Sequence, residues 1–173
     1  RLTLELGGND AGIVLPDVNI KEIAPKLFGA IFHNNGQTCA CLKRLYLHES
    51  IHDEICAELV SLAKSAVVDD GLEPGTQIGP VQNHIQLAVV MELAESARQD
   101  GGNFLCGGRR MERAGYFYEP TIVTGLQDGH RLVDEEPFGP IISVIKYSDV
   151  DEIISTGTII RGAPTASNPI GGI

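Results

Sequence analysis

Positive charge is scarce in this sequence: 13 Lys and Arg stand against 23 Asp and Glu, a formal net charge of −10 over 173 residues. Those cations are scattered, so no basic face is available to neutralise a phosphate backbone, and nucleic acid is not expected as a partner. Long apolar runs are lacking too. None approaches the roughly 20 residues that a membrane helix needs, so no membrane association is expected. The opening residues, RLTLELGG, have neither the charged n-region nor the apolar h-region of a signal peptide. With the acidic balance, these absences point to a soluble, cytoplasmic protein. The sequence also lacks an initiator Met and opens in an apolar-alternating stretch, so an upstream part is expected to be missing.

Three kinds of motif are absent as well. Cys39 and Cys41 stand as Cys-Ala-Cys, without the C-x2–4-C spacing and second Cys or His pair of familiar zinc sites, so no metal is expected. Among 20 glycines there is no G-x-G-x-x-G to cradle a dinucleotide phosphate. Internal repeats and low-complexity tracts are missing. At 43% hydrophobic residues, the chain can build one core without covalent staples, so its four cysteines are expected as free thiols.

What is present is an alternation of strand and helix signals. LTLEL and GIVL read as short strands around Gly7-Gly8. From Asn19 to His33, the apolar residues Ile20, Ile23, Ala24, Leu27, Phe28 and Ile31 recur at helical spacing. Asn34-Asn35-Gly36 is a left-handed stop signal, which leaves Cys39 in the loop just beyond the helix. RLYLHES alternates like a strand, and Ser50 is expected to cap a helix running to about Val68, with Asp53 and Glu54 in its first turn. A Gly- and Pro-rich loop fills Asp69 to Pro80, and helical spacing returns from Val81 to about Gly101. Phe104 to Cys106, Tyr116 to Val123 and Ile141 to Tyr147 read as strands. This order predicts an α/β fold, a largely parallel sheet flanked by helices. From Ser155 the periodicity is lost, and a mobile tail is expected.

A cysteine reacts as thiolate, favoured by backbone N–H groups, a cation or a nearby base. Cys39, on a polar loop, suits that role. Cys56 lies in a helical pattern and Cys106 in a strand, so both read as small core residues, and Cys41 near a strand start reads as packing. His33 is the nearest histidine in sequence, although five spread along the chain single out none. Glu5 stands between two leucines ahead of a diglycine; it is either a solvated strand residue or a carboxylate near an apolar wall with a raised pKa, able to activate water. Glu136 reads, on the residues alone, as one member of a solvated Asp134-Glu135-Glu136 acidic run.

Four stretches, LTLELGGNDAGIVLPDV, FHNNGQTCACLKRLYLHESIHDEI, DGLEPGTQIGPVQN and DEEPFGPIISVIKY, occur in this order. Together they resemble the catalytic domain of the NAD(P)-dependent aldehyde dehydrogenase superfamily, over about Arg1 to Ile154. The resemblance implies that Cys39, in G-Q-x-C, attacks an aldehyde to give a thiohemiacetal that is oxidised to a thioester, and that Glu5, in E-L-G-G, activates the water that releases the acid. It implies that Glu136 holds a ribose hydroxyl on the nicotinamide side of NAD or NADP, that Phe138 contacts the nicotinamide region, and that Leu6 and Gly7 lie beside it. It further implies a homo-oligomer for the full-length enzyme, and a separate cofactor domain ahead of E-L-G-G that is absent here, together with its oxyanion-binding Asn. Residues 1–154 are thus expected to form the catalytic domain and 155–173 a divergent tail, with weak or no activity in the isolated chain. Two other functions are compatible with the residues: a cofactor-free cysteine esterase using Cys39 and Glu5, and a non-catalytic remnant that associates with other subunits.

Overall fold

The computed structural model describes residues 1–157. Five strands form one sheet in the order β1-β2-β5-β4-β3. They are β1 (Asp10–Val14), β2 (Leu42–His48), β3 (Asn103–Cys106), β4 (Thr121–Thr124) and β5 (Ile141–Tyr147). All neighbours pair parallel except β3, which runs antiparallel to β4 at the edge. The α/β class with a largely parallel sheet is therefore as the alternating signals predict.

Helices cover both faces. On one, α1 (Ile20–Phe32) and α2 (Glu49–Ser65) bring Leu27, Ile31, Ile55 and Leu59 against Leu45, Leu47, Ile142 and Val144. On the other, α3 (His84–Gln99) and the short α4 (Arg131–Asp134) bring Val90, Leu93, Ala97 and Leu132 against Tyr46, Val123, Ile141 and Ile145. Burial on both faces explains why β5 reads as a near-continuous apolar run rather than alternating with polar residues. Leucines as fully covered as Leu45 and Leu59 each contribute about 2 kcal/mol to this core.

Several local expectations change. LTLEL is not a strand: residues 1–9 carry no sheet pairing, and Leu2, Leu4 and Leu6 are exposed, because the register with β2 begins only at Asp10 opposite Leu42. His48, not Ser50, caps α2, its side chain accepting from the Ser50 N–H. α2 stops at Ser65, ahead of a bridge between Val68 and Ile78. α3 starts at His84 because the Asn83 side chain accepts from the Gln86 N–H and caps it there. The strand expected from Tyr116 shrinks to Thr121–Thr124, beyond Pro120, which has no N–H to give a ladder. α5 (Val150–Gly157) enters the segment expected to be a tail; residues 158–173 of that segment lie outside the described ones.

Candidate active site

The site grows from the end of α1. Asn34, Asn35 and Gly36 take successive left-handed conformations (φ of 48°, 59° and 70°), which reverse the chain. Asparagine and glycine tolerate that backbone better than other residues do. Gln37 then fastens the loop: its side-chain oxygen accepts from the Gln82 N–H at 2.8 Å, and its amide reaches the Pro80 carbonyl at 3.4 Å. A turn closed by the Cys41 N–H on the Thr38 carbonyl (2.9 Å) presents Cys39 half-buried at its tip. Cys41 is buried, its thiol donating to the His33 carbonyl at 3.4 Å, so cysteines two positions apart have opposite fates.

The diglycine brings Glu5 to this tip. Gly8 is packed against the Cys39 carbonyl so closely that any side chain there would overlap it, and Gly7 takes a left-handed turn (φ 79°). The Glu5 carboxylate accepts from the Gly7 N–H at 3.0 Å. Partial loss of solvent, then the Glu5 charge and its hydrogen bond to the thiol, raise the Cys39 pKa above the ordinary value, while the N–H groups of Ala40 and Cys39 pull it down. No histidine acts on this thiol. Glu5 is exposed and not set against an apolar wall.

The carboxylate that loses solvent is Glu136. Burial raises its carboxyl pKa, opposed by the Gly8 N–H and by Lys43, and reinforced by Glu5 and Asp10. One carboxylate oxygen lies close against Gly7, where a Cβ would collide with it. The other, Oε1, is buried with no hydrogen-bond partner among the described residues. Glu136 is thus not part of a solvated acidic run: Glu135 pairs with Arg131 at the surface, while Glu136 turns inward. Phe138 is half-buried and holds a left-handed backbone (φ 42°), a conformation costing a non-glycine residue about 1 kcal/mol or more. Leu6 is 60% exposed.

Glu5, Gly7, Cys39, Glu136 and Phe138 thus come from three loops, each leading into the amino end of a parallel strand: β1, β2 and β5. Open parallel sheets more often bind ligands at the carboxyl ends. Here the glycines make the difference, letting three backbones approach at the opposite end.

Two features went unread in the sequence. Lys43 and Arg44, adjacent on β2, are 1% and 3% exposed. Arg44 Nε donates to the Asn9 carbonyl (3.0 Å), whose own side-chain amide donates to the Val133 carbonyl (2.9 Å); Lys43 Nζ donates to the Gly139 carbonyl (2.9 Å). Buried cations are rare unless paired, so a Lys-Arg pair inside an otherwise apolar strand was the available signal. No group of three or more His, Cys, Asp or Glu among the described residues is arranged to hold a metal, and no helix there is long and apolar enough to cross a membrane.

Comparison with known proteins places the chain among related sequences and structures. The model of the aldehyde dehydrogenase family matches residues 1–157. A probable aldehyde dehydrogenase of a Pseudomonas species is 43% identical over 154 residues, 89% of this chain and 32% of the relative; an aldehyde dehydrogenase of Enchytraeus buchholzi is 38% identical over 89% and 31%. A solved NAD+ complex of an aldehyde dehydrogenase from Bacillus cereus superposes with a TM-score of 0.87 at 31% identity, covering 92% of this chain and 32% of that one. The chain therefore spans about a third of the length of these relatives.

Proposed function

Because the chain belongs to the aldehyde dehydrogenase family, we propose that it carries the chemical half of an NAD(P)-dependent aldehyde oxidation, with Cys39 as nucleophile and Glu5 as base. The observation that carries this reading is the packing of Gly8 on the Cys39 carbonyl, which sets the Glu5 loop beside the cysteine so that the carboxylate acts on its thiol.

The residues fit the cofactor. Glu136 Oε1, buried without a partner, is an acceptor open to a ribose hydroxyl, and such an orphaned oxygen costs about 1–3 kcal/mol unless a ligand satisfies it. Gly7 leaves the backbone bare beside it, with Leu6 and Phe138 as apolar flanks. NAD(P), when bound, supplies the two-electron acceptor. The chain's own residues do the rest. Cys39 Sγ bonds to the aldehyde carbon, and the thiol proton ends on the former carbonyl oxygen. Oxidation of that thiohemiacetal, its carbon-bound hydrogen leaving with two electrons to the acceptor and its hydroxyl proton leaving to solvent, would give a thioester on Cys39. Glu5 then takes a proton from water, the hydroxide adds to the thioester carbon, the acid departs, and the proton returns to sulfur. Splitting one hard oxidation into addition and hydrolysis is what a soft nucleophile beside a carboxylate offers.

An activated ester tests these roles without cofactor. On the purified chain, Cys39 is expected to be acylated and slowly regenerated, whereas Glu5→Gln should accumulate the acyl group on the Cys39 peptide, read by mass spectrometry. Acylation elsewhere, or deacylation indifferent to Glu5→Gln, would sink the assignment. Aldehyde-dependent reduction of NAD or NADP in the same preparation separates the dehydrogenase from a cofactor-free esterase. The 173-residue chain is expected to show it weakly or not at all, since no phosphate-cradling glycine motif occurs in its sequence.

A further inference from the structure

We infer that Lys43 is a positioning residue, tying the loop that carries Cys39 to the loop that carries Glu136 and Phe138 and so setting how far the nucleophile sits from the cofactor-side carboxylate. The role rests on the reading of Glu136 given above.

Three chain segments converge on its ammonium. Lys43 enters from β2, four residues after Cys39. Its Nζ donates to the carbonyl of Gly139, the residue after Phe138, at 2.9 Å. Gly36, at the turn that aims the Cys39 loop, lies against both groups: a Cβ there would collide with Nζ and with the Gly139 carbonyl. Glu136, three residues before Gly139, is the carboxylate whose charge acts on Lys43, and Lys43 acts on it in return. A single side chain thus joins the α1 turn, the start of β2 and the loop before β5.

Stability alone gives little reason for this arrangement. An ammonium carries three donors and is strongly hydrated in water, and a buried cation is commonly matched or bettered by an apolar residue of similar volume. Lys43 is 1% exposed, and its ammonium donates to the Gly139 carbonyl. Burial depresses its pKa to about 8, which measures how unwelcome the charge is. A compact charge held at the junction of two functional loops is explained by what it aligns. Arg44, pointing to the other face of β2, holds Asn9 in the segment after Gly8, so neighbouring cations fasten two different loops.

Amide hydrogen exchange on the purified full chain, wild type against Lys43→Met, tests this. Met keeps the length and apolar stem of Lys and removes the charge and donor. Exchange in peptides covering 34–41 and 135–141 should speed up by about tenfold in both, while the interiors of α2 and α3 stay protected. Unchanged loops would overturn the inference, and so would a uniform rise across the chain, which marks a merely structural lysine. NADH binding, followed by nicotinamide fluorescence, supplies a second arm with Lys43→Met, Glu136→Gln and the double variant. Each single change should weaken binding, and the double should weaken it no more than the worse single; losses that multiply would count against Lys43 acting through Glu136. If the wild-type chain binds no NADH, the want of a phosphate-cradling motif accounts for it, and exchange alone decides whether Lys43 couples the loops.

Discussion

Two thiols in this molecule are ranked in opposite order by their neighbouring residues and by their access to solvent. Cys56, on α2, has the better-looking company. Its sulfur lies 3.8 Å from His52 Nε2, and His52 Nδ1 lies 2.6 Å from Asp53 Oδ1, a Cys–His–Asp line beside a cavity of about 390 Å3. Cys39 has no histidine, only Glu5 and backbone N–H groups. Yet Cys56 is 4% exposed, and burial, with the Asp53 charge second, pushes its thiol up to about 12. Cys39 is also raised, but it is half-buried at a loop tip, where a carbonyl carbon can reach the sulfur. On access and solvation Cys39 is the better candidate, since a partner in line does not compensate for a dry site.

Removing each sulfur in turn separates the two thiols by the widest margin. Cys39→Ala should lower thiol-dependent turnover of an activated ester by at least about a thousandfold, the scale of losing a covalent nucleophile. Cys56→Ala should leave it within about twofold and cost roughly 1 kcal/mol of stability for the lost sulfur. Initial rates and urea midpoints on the two variants decide. If turnover follows Cys56, the His52–Asp53 line is catalytic after all.

How much of this was legible beforehand follows from the range of the physics. β5, α1 and the Asn34-Asn35-Gly36 reversal announce themselves locally, through an apolar run, a 3.6-residue spacing and residues that tolerate left-handed backbone. Cys39 on an exposed loop follows from its flanks. The inward turn of Glu136 does not: in sequence it is one of three acidic residues, and only the packing of Gly7 and Gly8 across the loop buries it while Glu135 stays with Arg131. LTLEL misleads for the same reason, since alternation describes a candidate strand and pairing makes one. Lys43 and His52 likewise acquire meaning only from residues about 100 positions away or from their helical neighbours.

Lys43 sharpens the comparison because it obeys the same rule as Cys56 with the opposite sign. Its native pKa of about 8 lies below the ordinary 10.5. Below about pH 8 both folded and unfolded chains hold the proton, and the folded chain bears the full cost of a buried charge. Between 8 and 10.5 the unfolded chain binds more protons, so stability rises with pH, by about 3 kcal/mol in all at 1.36 kcal/mol per pKa unit. Cys56 runs the other way: its raised thiol holds a proton that the unfolded chain releases first, so its contribution falls as pH passes 9. The difference in denaturant stability between wild type and Lys43→Met isolates the lysine. Lys43→Met should be the more stable protein at pH 7, with the gap closing toward pH 10.5; a gap independent of pH would mean the ammonium is better solvated than its burial implies.

The smallest effect is the most discriminating for Cys39 itself. If the Glu5 charge and its hydrogen bond hold the thiol protonated, Glu5→Gln removes the charge and weakens the acceptor, and the Cys39 pKa should drop toward the ordinary thiol range. Peptide-resolved iodoacetamide labelling near pH 7.5 should then run several-fold faster at Cys39, because the thiolate fraction grows tenfold for each unit of pKa lost, while Cys56 stays slow in both proteins. The variant would be a better nucleophile and a worse catalyst, since the base for thioester hydrolysis is gone. Slower labelling of Cys39 in Glu5→Gln would reverse the assignment of Glu5, from a charge that restrains the thiol to a base that activates it, and the water-activating role would have to move to another carboxylate.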